Sequence, residues 1–239
     1  MARLLVGLPA LQGELAKYAS RFDLVELRPV DTVMPKPGTL RKWRKAVPPS
    51  FVFSVVLPRV VGELTPGPEL DAALTATLEV AAALEARCVL LQTPATVRPT
   101  AANKKRLAAV FERIPREGTV RCWEPAGLWE REEVLATARA IGVLPVFDVA
   151  RESPGAGPIL YTRLRALGKS TTLGATSLGR VAERLRRRRE VFVVIEGDRE
   201  AARIKQALAA EMARMPQRSG GVTVVRPGLS TLVAEDEEQ

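Results

Sequence analysis

Eight short apolar runs alternate with segments of helical spacing along these 239 residues, and that alternation constrains the fold more than any other feature. The runs are RLLVGL (Arg3–Leu8), FDLVELRP (Phe22–Pro29), FVFSVVLPR (Phe51–Arg59), CVLLQTP (Cys88–Pro94), TVRCWEPAGLW (Thr119–Trp129), VLPVFD (Val143–Asp148), ILYTRLR (Ile159–Arg165) and VFVVIEGD (Val191–Asp198). Short, nearly continuous stretches of Val, Leu, Ile and Phe read as strands buried on both faces, as in a parallel sheet covered by helices. Eight of them with helices between predict an α/β fold, a TIM-type (β/α)8 barrel, which takes roughly 200–250 residues as one unit. A single domain over residues 1–233 with an acidic tail at 234–239 is the corresponding organisation. The rival is an open doubly wound sheet. Its dinucleotide-binding form needs G-x-G-x-x-G after the first strand, and the first turn here is GLPALQG.

Helical spacing places helices at Gly13–Arg21, at Leu40–Val47, and in a long Ala/Leu stretch after GELTPGPEL with Pro68 in its first turn. Thr100 is a good N-cap for a helix running to Ile114. Another helix begins near Trp129, with Glu130, Glu132 and Glu133 in the first turn, where the dipole favours them. Later helices carry Arg186–Arg189 and span Arg199–Met215. After the sixth run, VARESPGAGP is too short and too rich in Gly and Pro for a helix, so the sixth helix is expected to be missing or reduced. VTVVRP (222–227) is an extra segment.

The chain contains no histidine, which removes serine–histidine and cysteine–histidine nucleophiles, histidine general bases and histidine-ligated zinc. Chemistry must rest on carboxylates, arginines, lysines, hydroxyls or a bound metal. Cys88 and Cys122 lie inside apolar runs and read as small core residues rather than a disulfide. No apolar run reaches the roughly 18 residues of a membrane helix, and MARLLVGLPALQGEL has no small-residue cleavage site, so a soluble, cytoplasmic protein is expected.

The net charge is +9 even though the tail holds Glu235, Asp236, Glu237 and Glu238. A basic body of this kind suits a polyanion such as nucleic acid. It equally suits an arginine-rich composition without function, since only 8 of the 36 basic residues are lysines and arginines fall on nearly every helix. RLRRRRE (Arg184–Glu190) is open to the same two readings, a backbone-phosphate contact or a solvated helix end. GKST (Gly168–Thr171) is not a P-loop, because Arg163 stands where the leading glycine belongs.

Active sites of such barrels form at the C-terminal ends of the strands. Within the second run Glu26 and Arg28 alternate with Val25 and Leu27; within the seventh, Tyr161, Arg163 and Arg165 oppose Leu160 and Leu164. With helices outside, the polar set faces inward. The strand ends supply Glu26, Arg28, Arg59, Gln92, Glu124, Asp148, Arg163, Arg165, Glu196 and Asp198, the last read as a helix N-cap. Two arrangements fit. Paired, these charges form a salt-bridged plug. Unpaired, Glu26, Glu124, Asp148 and Glu196 serve as catalytic groups and ligands of Mg²⁺ or Mn²⁺. Arg59 and Arg163, with Arg28, Gln92 and Arg165, then hold an anionic substrate. The second arrangement points to metal-assisted hydrolysis of a phosphate ester; the alternative is an inactive barrel binding nucleic acid or another polyanion through its arginines. Whether Glu124 is free or tied to Arg163 or Arg165 decides between plug and open site.

Seven stretches, in order, resemble the YecE-like family, domain of unknown function 72: YASRFDLVEL, Trp43 followed by PPSFVFSVVLPR, LLQTP, WEPAGLW, VFD, YTRLRALG and VVIEGD, spanning about Tyr18 to Leu208. The resemblance implies a TIM-type barrel and leaves the activity unknown. The chain departs from the family pattern at Val56 in place of Lys, Arg165 in place of His, and Glu196 and Gly197 in place of two asparagines. The polar run that usually follows V-E is replaced by Leu27, Arg28 and Pro29. Glu26, Arg59, Gln92, Asp148, Arg163 and Asp198 are the parts of the family's polar set that remain.

Overall fold

The structure, a computed structural model, describes residues 2–29, 36–165, 175–196 and 200–214. GKST, VTVVRP, Gly197, Asp198 and the acidic tail lie outside the described residues. Eight strands are present among them: β1 (Arg3–Leu8), β2 (Leu24–Leu27), β3 (Val52–Val56), β4 (Cys88–Thr93), β5 (Val120–Pro125), β6 (Leu144–Pro145), β7 (Ile159–Leu164) and β8 (Glu190–Ile195). All pair in parallel, in the order β6-β5-β4-β3-β2-β1-β8-β7. A parallel bridge from Phe147 to Thr162 joins the two edge strands, so the sheet is a nearly closed barrel rather than an open doubly wound sheet.

Helices α1 (Leu15–Ala19), α2 (Pro37–Ala46), α3 (Arg59–Gly62), α4 (Pro68–Ala83), α5 (Ala101–Glu112), α6 (Arg131–Ile141), α7 (Ala175–Arg186) and α8 (Ala201–Arg214) follow the strands in turn, with α3 and α4 both after β3 and none between β6 and β7. Local chemistry sets their limits. Pro68 opens α4, the Thr100 side chain accepts the Asn103 N–H at 3.2 Å, and Gly142 ends α6 in the left-handed region at φ 67°. The single turn α3 was not evident from the sequence; Pro58 ends β3 and starts it. No described helix is long and apolar enough to cross a membrane.

Strand alternation divides the core in two. Leu24, Val56, Leu90, Cys122, Phe192 and Val194 fill the barrel interior. Their sequence neighbours Val25, Val55, Leu91, Trp123, Val191 and Val193 pack outward among helix residues such as Leu74, Leu107, Phe111, Val181 and Leu208. Trp123 stacks edge-on against Trp129 at 4.8 Å and donates to Thr93 Oγ1 at 3.1 Å. Gly7 is required where β1 meets β2, because a Cβ there would stand 1.8 Å from the Leu24 carbonyl oxygen.

The missing sixth helix leaves residues 146–158 without regular structure, and the chain supplies other partners for that backbone. β6 is short because Pro145 has no N–H to extend the ladder. Across the seam, Thr162 Oγ1 donates to the Phe147 carbonyl at 2.7 Å and accepts the Val149 N–H at 3.2 Å. Arginines of the RLRRRRE run reach over from α7 and the turn after it. Arg184 donates to the Val149 and Glu152 carbonyls, and Arg188 to those of Gly155 and Gly157. Their spacing of four places both on one side of the helical path. Much of the basic run is therefore structural.

Thr162→Val keeps the volume but leaves a buried carbonyl and a buried N–H without their partner. A loss of about 1–3 kcal/mol in unfolding free energy is expected from urea denaturation, with faster proteolysis at residues 146–158. Unchanged stability would show that the seam does not depend on Thr162.

Candidate functional site

Inward-facing positions near the C-terminal ends of β2, β4, β5 and β7 carry Glu26, Gln92, Glu124 and Arg163. Below this polar layer the interior is apolar, so each charge has been taken from water and must find a partner. Arg163 is the common one. Its guanidinium lies 3.2 Å from Glu26 Oε2, 3.1 Å from Glu124 Oε2 and 3.0 Å from Glu196 Oε1. Burial pulls its pKa down, but Glu26, Glu124 and Glu196 outweigh that, and the net shift is upward; Arg163 stays charged.

Glu124 is tied to both arginines that the sequence offered. Its Oε1 meets Arg165 Nη2 at 2.5 Å, and its Oε2 takes Arg163 and a short hydrogen bond from Gln92 Nε2. Gln92 Oε1 in turn accepts from Arg28 Nη2 at 2.7 Å. Arg165 Nε reaches Glu196 Oε1 at 3.1 Å. The outcome is an ordered chain, Arg28 to Gln92 to Glu124 to the two arginines to Glu196, with three arginines against three glutamates once Glu26 is included.

Glu26 is fully buried. Burial pushes its pKa above the ordinary 4.5, against the opposing pull of Arg163, Tyr161 and Arg28. Tyr161 donates to Oε1 at 2.7 Å, and the Ser54 hydroxyl lies 2.9 Å from the same phenol oxygen. Among the described residues, Arg163 Nε has no hydrogen-bond partner despite its burial, and Glu26 Oε2 has only its ion pair with Arg163. Tyr161 and Ser54 were not among the site residues expected from sequence. The signal was present in their alternation, Tyr161 with Arg163 and Ser54 between Val52 and Val56.

Two expected residues stand apart from this cluster. Arg59, at the start of α3, is mostly exposed and pairs with Glu63 at 3.0 Å on its own helix. Asp148 works at the barrel seam: Oδ2 accepts the Arg165 N–H at 3.1 Å and Oδ1 the Ala150 N–H at 2.9 Å, with Arg151 at 3.7 Å. Of the four carboxylates read as metal ligands, Glu26, Glu124 and Glu196 gather around Arg163, while Asp148 lies at the seam. Among the described residues no group of three His, Cys, Asp or Glu side chains is placed to hold a metal, and three of the four are held by arginine, which competes for the oxygens a hard cation needs. The donor set does not fit Mg²⁺ or Mn²⁺. Cys88 and Cys122 are free and buried, with thiol pKa values pushed well up by burial; neither is a nucleophile.

The raised pKa of Glu26 gives a signed pH dependence. The folded state holds the Glu26 proton more tightly than the unfolded chain, so stability falls as pH rises from about 4.5 through the raised value. Glu26→Gln should flatten that part of the stability–pH curve. A curve with the same slope in wild type and variant would place the titration elsewhere.

The sequence matches the model of the family described as Protein of unknown function DUF72 over residues 6–224. No curated protein matches the chain. Among solved structures, a DUF72 family protein from Enterococcus faecalis V583 is similar at 19% identity and TM-score 0.67, covering 89% of this chain and 98% of that one. Another, from Thermotoga maritima MSB8, is similar at 19% identity and TM-score 0.61, covering 87% and 97%. D-psicose 3-epimerase from Clostridium cellulolyticum H10 shares the barrel at 11% identity and TM-score 0.55, covering 89% and 96%. Strand order, family match and structural neighbours agree: the chain belongs to the DUF72 family of TIM-type barrels.

Proposed function

We propose that this barrel is an enzyme for a small anionic substrate, a phosphate ester, whose anionic group binds at the C-terminal mouth between Arg163 and Arg165. The observation that carries the reading is the convergence of both guanidinium groups on a single atom, Glu196 Oε1, at 3.0 and 3.1 Å. Two cations aimed at one oxygen form a preorganised anion site. The carboxylate now in it belongs to a side chain about one-third exposed, at the end of β8. A substrate phosphoryl oxygen would take that place and Glu196 would turn toward solvent. The fixed end of the site is Glu124, which braces both arginines, with Gln92 and Arg28 behind it.

Glu26 is the acid–base group of this reading. Burial shifts its pKa in the direction a general acid needs, and Tyr161 with Ser54 fixes one of its oxygens while Oε2 faces Arg163 at 3.2 Å. In its protonated form it would supply a proton to the leaving oxygen as water attacks phosphorus and the ester P–O bond breaks, giving alcohol and phosphate. The attacking water's proton would pass to solvent, from which Glu26 is reprotonated. Arg163 would hold the charge that develops on the transferred group. No step is assigned to a metal, because the carboxylates are committed to arginine.

Binding of nucleic acid through the basic run has less behind it. Arg184 and Arg188 hold loop carbonyls, while Arg186 and Arg187 share Glu183. These contacts leave little of the run free for a phosphate backbone.

Phosphate affinity, measured by calorimetry, tests the reading. Glu196→Ala removes the competing carboxylate and should tighten phosphate binding about tenfold, or 1.4 kcal/mol; Arg165→Ala should weaken it by a similar factor. Equal affinities in both variants and wild type would sink the proposal. Retention of duplex DNA at low salt without phosphate binding at the mouth would favour the polyanion reading instead.

A further inference from the structure

The opposite end of the barrel holds a second cluster of arginines. A cleft of about 290 Å³ opens where β5, β6 and β7 begin, at Val120, Leu144 and Ile159, and Arg87, Arg116 and Arg121 line it. No carboxylate is among its lining residues. Strand starts normally serve stability rather than chemistry in this architecture, so three cations converging there need an account.

Their partners differ in kind. Arg121 is buried on the outer side of β5, and its hydrogen bonds go to main-chain carbonyls: Phe111 at 3.0 Å and Gly142 at 2.7 Å, with Ile141 at 3.4 Å. It thus caps the ends of α5 and α6, and among the described residues no acid pairs with it. Arg87 donates to the Gly118 carbonyl at 2.8 Å and reaches Glu190 at 3.4 Å. Glu190 is shared, because Arg3 holds its other oxygen at 3.1 Å. Arg116 is exposed and has no ion pair or side-chain hydrogen bond among the described residues. Burial lowers the Arg121 pKa and repulsion from Arg116 lowers it further, which places the two charges within electrostatic reach. The one acid beside the cleft in sequence, Glu117, is exposed.

We propose that this N-terminal cleft is a second anion site, distinct from the mouth, that takes a small phosphate-bearing anion such as pyrophosphate. Like charges held together in a partly buried cleft repel one another, and a dianionic or more highly charged ligand turns that repulsion into attraction for all three. Guanidinium forks suit phosphate oxygens bidentately. The volume sits at the small end of ligand pockets, which fits one or two phosphoryl groups rather than a whole nucleotide. Arg121 is positioned by the helix ends it caps, Arg87 by Gly118 and Glu190, and Arg116 supplies a free cation at the rim. The site does not depend on Glu26, Arg163 or Arg165, so it stands or falls separately from the reading of the mouth.

Pyrophosphate titrated by calorimetry into the full chain tests it, with Arg165→Ala used to weaken the mouth about tenfold. In that background one equivalent should bind, and adding Arg116→Glu should weaken it at least tenfold. Arg116 has no structural partner, so its variant should keep the wild-type circular dichroism and melting temperature. Arg116→Ala should give an intermediate loss. Absence of binding in the Arg165→Ala background, or binding that Arg116→Glu leaves unchanged, would overturn the proposal, as would retention of duplex DNA without pyrophosphate binding. If Arg165→Ala binds exactly as many equivalents as wild type, with equal affinity, the mouth reading fails and this one survives.

Discussion

One buried guanidinium organises the functional end of this barrel. Closing the sheet forces the inward residues of β2, β5 and β7 into a shared dry interior, and Arg163 stands among Glu26, Glu124 and Glu196 within 3.2 Å of each. Desolvating so many charges is costly, and their mutual attraction is what offsets it. Removing any one member leaves the others uncompensated, which is why the cluster behaves as a unit and why its individual contributions to stability are not separable by single substitutions. A buried ion network of this kind is weak evidence for stability by itself. Its placement at the C-terminal end of the strands, with one carboxylate partly open to solvent, is what the proposed binding role rests on.

The rest of the molecule makes that end possible by solving a topological problem. Without a sixth helix, the β6–β7 seam lacks the cover that the other strands enjoy. Thr162 and Asp148 hydrogen-bond across it, and Arg184 and Arg188 satisfy the loop carbonyls from α7 and the turn after it. Asp148 also fixes the backbone of Arg165, through the hydrogen bond to its N–H. This hydrogen bond links the seam to the mouth at Arg165, one arm of the proposed anion site.

Much of this was legible in the chain. The eight apolar runs led to eight strands, VARESPGAGP correctly indicated the absent helix, and alternation around Arg163 placed it inside. Both cysteines are free and buried, as their apolar surroundings implied. What strand-end position does not encode is the partner of a long side chain. Arg59 follows β3 as Arg165 follows β7, yet one turns to Glu63 on the surface and the other to Glu124 and Glu196. The difference lies in α3, a single turn too short to leave a periodic signal. Asp148, expected as a ligand from its place after a strand, accepts the Ala150 N–H of its own turn and the Arg165 N–H after the neighbouring strand. Glu124 is tied to Arg163 and Arg165 together, the paired arrangement of the strand-end charges as a salt-bridged plug rather than as an open metal site.

The account turns on whether the position of Glu196 Oε1 is an anion site that the protein fills with its own carboxylate. A crystal structure of the protein soaked with tungstate, an electron-dense phosphate analogue, measures this most directly. The account predicts tungstate density within hydrogen-bonding reach of Arg163 Nη2 and Arg165 Nε, with the Glu196 side chain rotated away and Glu124 unmoved. Glu196 still seated between the two arginines, with no tungstate at the mouth, would contradict it.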